Sequence, residues 1–99
     1  MALTPEAKVK KACKRLLEAA GIWHFSPLGG PYTVHGVPDI VCVAPNDHVF
    51  FIETKAPGKI KNVTPNQERV HEEIRSRGGT VLVVDNPQIV KEYIHALQN

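Results

Sequence analysis

Ninety-nine residues, 42% hydrophobic and 22% charged, suffice for one compact domain with its own core, here residues 1–99. Twelve basic residues against ten acids leave a formal net charge of +2, too small to name a partner by itself. No apolar run reaches the roughly 18–20 residues that cross a bilayer. Met1-Ala2-Leu3-Thr4-Pro5 lacks the charged start and apolar stretch of a signal peptide.

The first predicted element is a helix opened by Thr4-Pro5, a hydroxyl cap followed by proline at the first helical position. Val9, Ala12, Cys13, Leu16, Leu17 and Ala20 recur at helical spacing, and Gly21 ends the run. Glu6 stands three residues before Val9 and seven before Cys13, so it continues the inward stripe. It reads either as a first-turn acid favoured by the helix dipole or as a site residue. Lys8, Lys10, Lys11, Lys14 and Arg15 lie mostly on the opposite side, a phosphate footprint or a solvated face.

Ile22-Trp23-His24-Phe25 predicts a short strand, followed by a Pro/Gly-rich loop from Ser26 to Pro31. A second strand runs from Val37 to Ala44. Pro45-Asn46-Asp47 is a turn, and Val49-Phe50-Phe51-Ile52 leads a third strand into Glu53-Thr54-Lys55, making an antiparallel hairpin. A loop from Ala56 to Val63 carries Lys59 and Lys61. Thr64-Pro65-Asn66-Gln67 then opens a second helix with a hydroxyl cap and glutamine at its third position. Val70, His71 and Ile74 share the face of Gln67, and Gly78-Gly79 stops it. Thr80 to Val84 is a buried strand. Asp85-Asn86-Pro87 starts a last helix with Ile89, Val90, Tyr93, Ile94 and Leu97 inward. The order α-β-β-β-α-β-α predicts a mixed α/β (or α+β) fold, a central mixed sheet flanked by helices. Cys13 and Cys42 lack the spacing of a zinc knuckle or a disulfide scaffold, as expected of a soluble, reduced, cytoplasmic protein.

The chemistry concentrates in Gly36-Val37-Pro38-Asp39-Ile40-Val41 and Phe51-Ile52-Glu53-Thr54-Lys55. Side chains alternate along a strand, so Glu53 and Lys55 share a face and Thr54 takes the other. A hairpin turn at Pro45–Asp47 brings Asp39 back beside Glu53. Two acids and a lysine in one place are costly as a core unless paired or metal-bound. Convergent carboxylate oxygens suit a hard cation such as Mg²⁺, which keeps several waters and takes substrate phosphate oxygens. Lys55 is placed to orient the attacking water or to stabilise charge developing on a phosphate.

Pro38-Asp39, a hairpin, then Glu53-Thr54-Lys55 resembles the PD-(D/E)xK nuclease signature. With Glu6, Gly36-Val37-Pro38-Asp39, Thr64-Pro65-Asn66-Gln67 and the Gly78-Gly79 stop, the pattern resembles a stand-alone VRR-NUC (virus-type replication–repair nuclease) domain over residues 4 to about 84. The resemblance implies a restriction-endonuclease-like core in which Asp39 and Glu53 hold Mg²⁺ or Mn²⁺, helped by the Thr54 backbone carbonyl. It implies that Lys55 is the catalytic lysine, and that Glu6 completes the metal site directly or through water. Gln67 would support the site and contact Lys55 or the substrate phosphate. It further implies a homodimer that cuts branched DNA in the manner of a Holliday-junction resolvase. Two competing readings are a catalytically silent branched-DNA-binding domain and a flap endonuclease or exonuclease of the same superfamily.

Lys8, Lys11, Lys59 and Lys61 are the candidate phosphate contacts. Tyr32, Thr33 and His35 precede the site in a loop and read as loop residues rather than DNA contacts. His71 reads as a satisfied, semi-buried histidine rather than a ligand, and His24, His35, His48 and His95 show no metal-ligand spacing. No membrane and no small-molecule cofactor is expected.

Overall fold

The computed structural model describes residues 2–29 and 34–99. Tyr32 and Thr33, read above as loop residues, lie outside the described residues. The elements are α1 (Pro5–Ala19), β1 (Trp23–Phe25), β2 (Ile40–Ala44), β3 (His48–Thr54), α2 (Pro65–Ser76), β4 (Thr80–Val84) and α3 (Pro87–Leu97). This is the predicted order and class: one mixed sheet with helices against it.

All three helices begin on the residues that the sequence marks. Thr4 accepts a bond from Ala7 N–H at 3.1 Å, and Asn86 accepts from Gln88 N–H at 2.9 Å. Thr64 and Gln67 form a reciprocal capping box, which satisfies two orphan donors at once. The sheet runs β1-β2-β3-β4. β1 and β2 pair antiparallel, β2 and β3 pair antiparallel, and β3 and β4 pair parallel across the α2 crossover. The hairpin pairs Ala44 with His48 and Ile40 with Ile52. Asn46 (φ 68°) and Asp47 (φ 62°) take the left-handed conformation that asparagine and aspartate tolerate best among non-glycines.

Strand alternation divides the sheet into two faces. Ile40, Cys42, Ala44, Phe50, Ile52 and Val84 join Val9, Cys13 and Leu17 of α1 and Val90 and Ile94 of α3 in one buried cluster. On the other face α2 packs on β4, where Val70 and Val81 are buried outside that cluster. Both cysteines are fully buried, and burial pushes the Cys13 thiol up to about 11 and Cys42 to about 12.

Strand boundaries differ from the sequence reading, and β3 runs His48–Thr54 rather than Val49 to Lys55. β1 begins at Trp23 rather than Ile22, whose side chain still enters the core. β2 begins at Ile40 rather than Val37. Proline at 38 has no N–H for a ladder, and Gly36 turns the chain at φ 89° so that it lies on the first turn of α2. A Cβ at Gly36 would run into the Asn66 carbonyl.

Candidate active site

Asp39 and Glu53 meet at one end of the hairpin. Ile40 pairs with Ile52, so Asp39 stands one step beyond, opposite Glu53. With the 50/52 side chains turned into the α1/α3 core, Glu53 and Lys55 face α2. Asp39 is fixed by one oxygen: Oδ2 accepts from the Thr54 N–H at 2.8 Å and from the Thr54 hydroxyl at 2.7 Å. The Lys55 N–H donates to the Val84 carbonyl at 2.8 Å, tying the end of β3 to β4.

Glu53 is 1% exposed and Lys55 7%. Burial pushes the Glu53 carboxyl up to about 8; the charge of Asp39 and a hydrogen bond with its side chain push the same way, Lys55 opposes them, and Glu6 adds a smaller upward push. The two carboxyl groups are thus close enough for the charge of one to act on the other. Lys55 Nζ donates to Gln67 Oε1 at 2.8 Å and lies 3.9 Å from Glu53 Oε2. Gln67 Nε2 donates to Glu53 Oε2 at 3.2 Å, while Gln67 Oε1 also accepts from the Thr64 N–H at 3.0 Å. One glutamine therefore caps α2 and joins the acid to the lysine.

The remaining carboxylate oxygen, Glu53 Oε1, is buried without a hydrogen-bond partner among the described residues. An oxygen left in that state costs roughly 1–3 kcal/mol, and a cation beside it would remove the penalty. The donor set fits a hard divalent ion: two adjacent carboxylates, with the Thr54 carbonyl next in the chain. Among the described residues no three His, Cys, Asp or Glu side chains are grouped to hold a metal ion, so Glu6 does not join Asp39 and Glu53 in one donor set here.

Glu6 lies in the exposed first turn of α1, close enough for its charge to reach Glu53. The inward stripe of α1 therefore turns to solvent at its start. Lys8, Lys11, Lys59 and Lys61 are exposed. The lysine beside the site is Lys10, half-buried, which lines a cleft of about 250 Å³ with His35, Gly36, Pro38 and Asp39. Its signal is the four-residue step from Glu6, which sets both on one helical face. His71 lies on the inward face as expected but is not the satisfied, semi-buried residue of the sequence reading: it is 1% exposed, and Nε2, 3.6 Å from Glu53 Oε1, has no hydrogen-bond partner among the described residues. Burial, then the charges of Arg75 and Lys55, lower its pKa, against smaller upward pushes from Glu68 and Asp39.

The model of the VRR-NUC domain matches residues 31–86, more than half of the chain and all of the site except Glu6 and the lysines of α1. The chain belongs to the VRR-NUC family. A solved structure described as a VRR_NUC domain superposes with a TM-score of 0.77 at 30% identity, covering 94% of this chain and 97% of that one. The chain is also similar to "Putative nuclease p44" of Acyrthosiphon pisum secondary endosymbiont phage 1, at 39% identity over 54 residues. That match spans 54% of this chain and 56% of the phage protein, a little over half of each. The sheet and helices are therefore those of a VRR-NUC nuclease domain.

Proposed function

We propose that this VRR-NUC domain is an Mg²⁺- or Mn²⁺-dependent DNA endonuclease that hydrolyses phosphodiester bonds and acts as a homodimer on branched DNA, four-way junctions above all. The observation that carries the reading is the meeting of the half-buried Asp39 with the buried Glu53 at the end of the hairpin, with Lys55 held beside them by Gln67. Asp39, Glu53 and the Thr54 carbonyl would hold the ion, with Glu6 at the exposed rim. The bound ion would supply Lewis acidity and an acidified water. Lys55, anchored by Gln67, presents a cation where a scissile phosphate gathers negative charge, and is placed to orient the attacking water. Lys10, along the cleft, and the exposed Lys8, Lys11, Lys59 and Lys61 would meet the DNA backbone. The buried, protonated thiols suit a reducing, intracellular setting.

The dimer rests on symmetry and on a surface. One site cuts one strand at a time, so paired cuts across a junction need two sites related by a two-fold axis. On the α2-facing side of β1 to β3, Trp23 (62% exposed), Phe25 (45%) and Val49 (44%) surround the half-buried Val41, Val43 and Phe51. This strip holds no charge to repel its own copy. Aromatic residues without charge are the composition of an interface core, and three strands about 4.8 Å apart make a patch of a few hundred Å².

The test is a panel of four-way junction, flap, splayed arm and linear duplex with Mg²⁺ or Mn²⁺, beside sedimentation of the protein. Junction cutting by a dimer is expected. Asp39→Ala and Glu53→Ala are each expected to lower it at least ~10³-fold, about 4 kcal/mol of barrier, with junction binding retained. Undiminished cutting by both variants would overturn the reading.

A further inference from the structure

Helix α2 turns two side chains onto Glu53. Gln67 is bonded to Glu53, to Lys55 and to its own cap. One turn later His71 faces the other carboxylate oxygen, Nε2 to Oε1 at 3.6 Å, and both atoms are buried without a hydrogen-bond partner among the described residues. An apolar side chain would fill this place on the inward face of α2 without orphaning a nitrogen. The distance is about half an ångström beyond a good hydrogen bond, a gap that a small side-chain rotation closes. A neutral imidazole carries one N–H, and on Nε2 it points at the acid.

On the reading of Asp39 and Glu53 as the cation site, we propose that His71 is a positioning residue: its Nε2–H holds Glu53 Oε1 while Gln67 Nε2 holds Oε2, fixing the carboxylate plane toward Asp39. Each carboxylate oxygen has two lone pairs, so an oxygen held in this way still ligates a cation. Partners behind a metal ligand set its orientation, and their loss weakens metal affinity about 10–100-fold. The spacing of 67 and 71 stacks both donors on one helical face, so a single rigid helix grips both oxygens.

The experiment measures Mn²⁺ binding directly, from the electron paramagnetic resonance of the free ion, and Mg²⁺ binding by calorimetry. Both are run beside junction cleavage as a function of metal concentration and beside denaturant unfolding. His71→Leu removes the donor and keeps apolar volume; His71→Phe serves where the leucine variant fails to fold. Either is expected to bind Mn²⁺ about 10–100-fold more weakly. The metal concentration for half-maximal cleavage should rise by the same factor, with most of the activity restored at saturating metal. His71→Gln, which returns an N–H near the Nε2 position, is expected within about threefold of the parent. Parental Mn²⁺ affinity in the donor-free variants overturns the proposal. So does nitrogen hyperfine coupling to Mn²⁺ that disappears with His71, because the histidine would then be a ligand. Glu53→Ala separates the levels: if it binds Mn²⁺ as the parent does, the assignment of the cation site itself has failed.

Discussion

The two faces of the sheet are built from the same strands and do opposite things. Toward α1 and α3, Ile40, Cys42, Phe50, Ile52 and Val84 pack with no charged group among them. Toward α2, Asp39, Glu53 and Lys55 are brought together with Gln67 and His71, and Glu53 Oε1 and His71 Nε2 are buried without partners among the described residues. A strand's period of two allows this division: Phe50 and Ile52 of β3 turn into the apolar core, while Glu53, one step on, turns to the other face and is available for chemistry. The apolar face gains stability by burial, on the order of 25 cal/mol per Å². The chemical face gives some of that back by burying a carboxyl group whose pKa rises to about 8.

Substitutions on each face sharpen that contrast. Phe50→Ala, fully buried on the apolar face, is expected to cost about 3–5 kcal/mol in denaturant unfolding. Under conditions where the variant is folded, cleavage per folded molecule should be nearly unchanged. Gly36→Ala forces a side chain into a left-handed position against the Asn66 carbonyl. A loss of about 2–4 kcal/mol is expected from strain and overpacking. Because Asp39 follows three residues later, cleavage by the folded fraction should fall as well, which separates it from Phe50→Ala.

The raised Glu53 pKa fixes a sign. Between the ordinary carboxylate value of 4.5 and about 8, the folded metal-free protein keeps a proton that the unfolded chain has released. Stability is therefore fully present below the lower value and is lost as pH rises through about 8. Unfolding of the metal-free protein at pH 5 and pH 8.5 should show that decline. Glu53→Gln should flatten it, by on the order of 1–3 kcal/mol. The smallest effect is electrostatic. Lys10→Ala, at the cleft, should reduce the salt dependence of DNA binding by about one ion, and Lys8→Ala, exposed, by less.

Much of the site was legible because it depends on local rules. The capping boundaries at Thr4, Thr64 and Asn86, the hairpin turn and the shared face of Glu53 and Lys55 follow from residue types and strand alternation. The capping role of Gln67 was visible in the Thr64–Gln67 spacing, while its contact with Lys55 was implied only by the family resemblance. Less legible was the start of β2: apolar residues at Val37 and Ile40 read as strand, whereas Gly36 and Pro38 bend the chain onto α2. Glu6 matched the helical stripe, yet the stripe ends at solvent there.

The sequence alone determined the elements, their caps, the register of the hairpin and hence the meeting of Asp39 with Glu53, all set by chain periodicity and turn length. The tertiary structure decided how α2 sits on the sheet. That docking places His71 against Glu53 and covers β4 while leaving Trp23 and Phe25 exposed. It depends on contacts between residues far apart in the chain, which a local pattern of apolar and polar positions does not encode.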